Sequence, residues 1–194
     1  MRISGGKARG IPLRSSKTKG LRPATEANRE RLFSSIQNKV EDQRVLDLFA
    51  GTGSYGLEAI SRGAKTADFV EKNHRVVGDL KQNLTKVIHS AQFESSVGRV
   101  HKRDVLEFLN TPTIHTYDII FLDPPYSEID KLVHPTLEKL INNGFVHSRS
   151  LLFHECPAGQ LETNERWNLV RLLGKAKKGS PVYHIFEPKS FAVS

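Results

Sequence analysis

A chain of 194 residues, 38% apolar and 26% charged, can bury one core, is short for two, and lies outside the range of disordered chains. No apolar run approaches the roughly 18 residues that cross a bilayer, no secretory run opens the chain, and the lone Cys156 excludes an intrachain disulfide and offers no zinc spacing. A soluble, cytoplasmic, monomeric protein without a metal is expected, and its net charge of +8 resides wholly in residues 1–40, where ten Lys and Arg face only Glu26 and Glu30.

Residues 2–14 alternate loosely about Gly5-Gly6 and predict a short hairpin, with a loop after it. Gly10, Pro12 and Gly20 join that pair in interrupting any amphipathic targeting helix, which disfavours a transit peptide. A basic arm on a neutral body suits docking of a polyanion at one place, because phosphate contacts release counterions and dominate nucleic-acid affinity. Arg2, Lys7, Arg9, Arg14, Arg22 and Arg29 are the candidate phosphate contacts, and a solvated tail is the alternative. From Thr25, an N-cap candidate, the run to Val40 has acids in its first turn and sets Leu32, Phe33, Ile36 and Val40 on one face, which predicts a helix. Residues 1–40 are therefore read as a basic extension of hairpin and helix, and residues 41–194 as the main domain.

Beyond the extension, short apolar runs alternate with helical segments. Strands are predicted at 45–49, 66–71, 99–101, 117–122 and 150–155, and helices at 55–62, 74–88 and 129–142. Residues 167–173 and 182–187 read as a closing pair around a Lys-Lys-Gly turn. This alternation predicts an α/β fold with a mainly parallel sheet, a closing antiparallel strand and a ligand site at the carboxyl ends of the strands.

The segment Asp47-Leu-Phe-Ala-Gly51-Thr-Gly53-Ser-Tyr-Gly56 puts glycines directly after the first strand, and Glu71 closes the second strand 20 residues beyond Gly51. Glycines permit a tight turn close to a ligand, and a carboxylate at the next strand end can hold two ribose hydroxyls. A dinucleotide would bring its anionic pyrophosphate to this loop, where Asp47 is a poor neighbour; S-adenosylmethionine brings an ammonium and a sulfonium, which Asp47 suits. The spelling D-L-F-A-G-T-G also resembles the first motif of Rossmann-like methyltransferases. Asp104, after the third strand, is a candidate for the adenine amine, with a helix N-cap as its alternative.

Strand 117–122 runs into Asp123-Pro124-Pro125-Tyr126. Two prolines stop the strand and restrict the backbone, so the Asp123 carboxylate and the Pro124 carbonyl become fixed acceptors. Hydrogen bonds to both hydrogens of a base amine favour the pyramidal form whose lone pair can attack a methyl carbon. Tyr126 would stack on a base drawn out of its helix.

Taken together, RISGGKARG at the start, RPATEANRERLF at 22–33, VLDLFAGTGSYGLEAISRGA at 45–64, FVEKN at 69–73, FLDPPY at 121–126 and KKG at 177–179 resemble the RsmD family of 16S ribosomal RNA guanine-N2 methyltransferases. The resemblance spans nearly the whole chain. It implies a Rossmann-like class I fold, S-adenosylmethionine contacts from Asp47, Phe49, Gly51, Gly53, Glu71, Lys72 and Asp104, catalysis at Asp123, Pro124, Pro125 and Tyr126, and 16S rRNA or the assembled small subunit as partner. Ala24, Glu26 and Ala27 depart from the family's usual pattern, whereas Arg29, Glu30 and Phe33 match it. An adenine-N6 methyltransferase on DNA or RNA, and an idle RNA-binding or ribosome-assembly protein, are the alternatives.

Overall fold

The computed structural model describes residues 1–15, 26–113, 115–158, 164–174 and 181–189. Its seven strands are β1 (Arg44–Leu48), β2 (Thr66–Val70), β3 (Gly98–His101), β4 (Tyr117–Leu122), β5 (Val146–Pro157), β6 (Trp167–Leu173) and β7 (Pro181–Pro188). They form one sheet in the order β3-β2-β1-β4-β5-β7-β6. The pairs from β3 to β5 are parallel, and β7 runs antiparallel to both β5 and β6. The strand order reverses between β1 and β4, which opens the crevice where such sheets bind ligands.

Helices cover both faces: α1 (Glu26–Ser35), α2 (Ser54–Ser61), α3 (His74–Ala91), α4 (Val105–Phe108) and α5 (Ile129–Asn142). Alternate strand residues divide between two apolar clusters. Val45, Phe69, Ile119, Phe121 and Phe153 pack with α1, α2 and α3. Leu46, Leu48, Ile120, Leu122 and Leu152 pack with α4, α5 and Trp167. A parallel strand covered on both faces reads as a near-continuous apolar run, which is why Val45, Leu46 and Leu48 of β1 and Ile119 to Leu122 of β4 are apolar, with Asp47 the buried exception. Among the described residues no helix is long and apolar enough to cross a membrane.

The N-terminal hairpin forms as expected, with Arg2 bridged to Pro12 and the Ile3 N–H donating to the Ile11 carbonyl at 3.0 Å. It is not a loose tail, since Ile3, Ala8 and Leu13 enter the same core as Leu32, Phe33 and Val40. The end of α2 pins it: Ser61 Oγ accepts the Ala8 N–H at 2.9 Å and donates to the Gly5 carbonyl at 2.6 Å. At Gly6, φ is +76° and an added Cβ would lie 1.9 Å from the Ser61 carbonyl oxygen, so only glycine permits this approach.

Arg29 corrects the sequence reading. Expected to touch RNA, it lies on the inner face of α1, 0% exposed, with Nε 3.3 Å from Glu58 Oε2 of α2. It faces inward because Leu32 and Phe33, one turn along α1, carry the same face into the core. Thr25, Arg22 and the Lys-Lys-Gly turn lie outside the described residues. β5 begins four residues before its expected start, because the polar run His147-Ser148-Arg149-Ser150 hides a strand that continues through an irregularity opposite Tyr117 and Ile119.

Candidate active site

The turn after β1 passes through three left-handed residues: Phe49 (φ 59°), Gly51 (φ 54°) and Gly53 (φ 86°). A non-glycine in that region is strained, and Phe49 is held there because the turn is braced on both sides. The Ala50 N–H donates to the Val70 carbonyl at 3.0 Å, and the Gly56 N–H to Asp47 Oδ2 at 2.8 Å. A Cβ at Gly53 would meet Leu80 Cδ1 at 2.3 Å, so the glycine lets α3 close against the loop.

Glu71, just past β2, accepts the Gly51 N–H through Oε2 at 3.0 Å and the Asn73 N–H through Oε1 at 2.7 Å. Asp104 caps α4, accepting the Leu106 N–H at 2.9 Å, and its other oxygen lies 3.8 Å from Lys72 Nζ. The N-cap alternative is therefore realised, with the carboxylate still at the carboxyl end of β3. Asp123 follows β4, Pro124 is buried, and Tyr126 is 40% exposed at the start of a turn closed by the Glu128 N–H on the Pro125 carbonyl at 2.8 Å. Among the described residues the Pro124 carbonyl accepts no hydrogen bond. The ends of β1, β2, β3 and β4 thus bring together Asp47, Phe49, Gly51, Gly53, Glu71, Lys72, Asp104 and the Asp123–Tyr126 segment.

Three residues that the sequence did not mark belong to this place. Tyr55 of α2 donates to Glu155 Oε2, and its hydroxyl lies 2.9 Å from that of Tyr183. Burial pushes the Asp47 carboxyl up to about 8, opposed by the Gly56 N–H and helped by Glu71. Burial also raises Asp123 well above the usual carboxylate range, with Glu155 and Asp47 adding to the rise. Among the described residues none of Asp47, Asp123 and Glu155 has a basic ion-pair partner. A cluster of acids without a cation, of which Asp47 and Glu155 are buried and Asp123 half-buried, suits a ligand that carries positive charge.

The Asp47 shift has a measurable sign. Between its ordinary value of 3.8 and about 8, the folded cofactor-free protein holds a proton that the unfolded chain releases. The stability this gives is complete below the lower value and is lost as pH rises through the upper one. Urea unfolding at pH 5 and pH 8 should show wild type losing more stability over that interval than Asp47→Asn; parallel profiles would refute the assignment.

On the arm, Arg2 is exposed and paired with Glu26 at 3.1 Å, Arg9 is exposed, Arg14 is half exposed and 2.9 Å from Asp79, and Lys7 Nζ lies 5.3 Å from the centre of the Phe93 ring.

A sheet of this order, a glycine turn braced by one carboxylate, and a second carboxylate at the next strand end define a Rossmann-like class I methyltransferase. A family model described as conserved hypothetical protein 95 matches residues 1–187, and the chain belongs to that family, the RsmD family. It is 32% identical over 192 residues to ribosomal RNA small subunit methyltransferase D of Escherichia coli K12, covering 96% of this chain and 89% of that protein. It is 32% identical over 173 residues to the Haemophilus influenzae protein of the same name, covering 88% and 86%. A solved Escherichia coli structure bearing a provisional methyltransferase name superposes with a TM-score of 0.83 at 28% identity, covering 98% of this chain and 99% of that one.

Proposed function

We propose that this chain methylates the exocyclic N2 amine of a guanine in the 16S rRNA of the small ribosomal subunit, using S-adenosylmethionine. The observation that carries the reading is Asp123-Pro124 at the end of β4: two fixed acceptors beside an acidic cleft and next to the exposed Tyr126. S-adenosylmethionine supplies a methyl carbon activated by a sulfonium. The cleft fits that group, because the raised proton affinities of Asp47 and Asp123 mark a site that lacks a cation.

In this reading Glu71 holds the ribose, Asp104 and Lys72 lie toward the adenine, and Phe49, Gly51 and Gly53 shape the turn against the cofactor. Asp123 and the Pro124 carbonyl accept from the two amine hydrogens, Pro125 fixes that backbone, and Tyr126 stacks on the base. Arg2, Lys7, Arg9 and Arg14 supply phosphate contacts, with Arg22 outside the described residues. Because Ile3 and Leu13 are core residues, each worth roughly 1.5 to 3 kcal/mol of burial, charge substitution tests the arm where truncation would unfold it.

The test of the reading is transfer of tritium from labelled S-adenosylmethionine to small subunits, followed by nucleoside analysis. Label in 2-methylguanosine is expected. Label in N6-methyladenosine would move the activity to adenine, and no label would leave only a binding protein. Glu71→Ala should weaken cofactor binding by a charge-assisted hydrogen bond, about 1.5 to 3 kcal/mol. An unchanged calorimetric dissociation constant would remove Glu71 from the site.

A further inference from the structure

Glu155 sits near the end of β5 with 6% of its surface exposed. In the antiparallel register it stands opposite Tyr183 of β7. In the parallel register it comes one step after His154, which pairs with Leu122, so it flanks Asp123. Paired residues share a face and alternate along the strand, so both carboxyls point to the face of Phe121 and Phe153, where α2 packs. Tyr55 of α2 stacks on Phe121, with ring centroids 5.0 Å apart at 18°, and meets Tyr183 edge-on. Its hydroxyl donates to Glu155 Oε2 and lies 2.9 Å from the Tyr183 hydroxyl. A carboxylate is thus fixed beside Asp123 by two tyrosines.

We propose that Glu155 is a positioning residue: held by Tyr55 and Tyr183, it makes Asp123 the acceptor of the proton that the methylated amine must lose. The inference rests on the methyl-transfer reading above. In the step, the amine lone pair forms the N–C bond, and the C–S bond breaks with its electron pair left on sulfur. The nitrogen, now cationic, gives one proton to an Asp123 oxygen, from which it passes to water as product leaves. Before transfer a cationic sulfur faces the acids; afterwards it is neutral. Asp123 is then left facing Glu155 on β5 and Asp47 on β1, with Tyr55 on α2 and Tyr183 on β7. Like charges crowded in one site favour uptake of a proton.

Glu155→Gln keeps the side chain's shape and an oxygen to accept from Tyr55, and removes the charge. Single-turnover methylation of small subunits should show its acid limb displaced to lower pH by about one unit or more, with a lower plateau rate. A lowered plateau with the limb unmoved would reduce Glu155 to a structural role and overturn the proposal. A second readout needs no turnover: carbon-13 NMR titration of the Asp123 carboxyl in the cofactor-free protein. Wild type should titrate well above the usual carboxylate range, and Glu155→Gln should bring the midpoint down. A simple wild-type curve at an ordinary carboxylate value would overturn the proposal even if the variant does not fold. Absence of methyl transfer by wild type would instead overturn the functional reading, with the NMR result standing apart from it.

Discussion

Asp123→Ala is expected to slow methyl transfer in a single turnover by roughly 10²- to 10³-fold, in line with loss of one preorganised hydrogen-bonding group that acts mainly in the transition state. Substrate and cofactor binding should change little, because the carboxylate meets the amine most strongly as the nitrogen becomes pyramidal. Asp123→Asn separates two contributions. Its amide oxygen can still accept from the amine, but it brings no negative charge to a cleft where burial, Glu155 and Asp47 together raise the proton affinity of the native carboxyl. Asn should therefore fall between wild type and Ala. Rapid-quench rates with saturating cofactor and small subunits decide the matter. An Ala variant that methylates at the wild-type rate would remove Asp123 from the mechanism, and equal rates for Ala and Asn would show that acceptance at this position is immaterial.

Much of the sheet was legible because its parallel strands are covered on both faces. VLDLF and YDIIFL read as buried strands for the same reason that Leu46 and Ile120 now lie on one face and Val45 and Ile119 on the other. The start of β5 was hidden, since His147 to Ser150 are polar and break the run. Asp104 was legible as a helix N-cap and does cap α4, whereas the cap of α3 went unmarked: the Asn73 side chain accepts the Arg75 and Val76 N–H groups at 3.0 and 3.3 Å.

The site was half legible. The chemistry proposed for Asp47, Glu71 and Asp123 follows from local spelling, because each stands at or just beyond the carboxyl end of a strand. Glu155 also stands near a strand end, but its partners Tyr55 and Tyr183 lie 100 residues before it and 28 after it, and no local pattern joins them. Glutamate in an apolar run was the signal available: buried acids need partners. The same long-range pairing misled the reading of Arg29, where a count of basic residues cannot show which of them turns inward.

That inward turn yields the second large effect expected. Glu58, 0% exposed, is the hub that ties the N-terminal hairpin and α1 to α2. Its Oε1 receives Arg62 Nε at 2.9 Å and the Ser4 hydroxyl at 2.7 Å, and its Oε2 receives the Ser4 N–H at 2.8 Å and Arg29 Nε at 3.3 Å. Glu58→Ala would leave the Arg29 guanidinium buried without its counterion and strip two bonds from Ser4, so a loss of about 3 to 5 kcal/mol in folding stability is expected. Arg29→Met should cost less. Glu58 would keep Arg62 and Ser4, and among the described residues Arg29 Nη1 already lacks a hydrogen-bond partner, a cost that the substitution relieves. Glu58→Ala combined with Arg29→Met should cost less than the sum of the single changes, because the fully buried cation and its carboxylate are removed together and only Arg62, 16% exposed, loses its counterion. Urea unfolding of the three variants tests the ordering, and an Arg29→Met protein less stable than Glu58→Ala would show that the cation, not the carboxylate, is the hub.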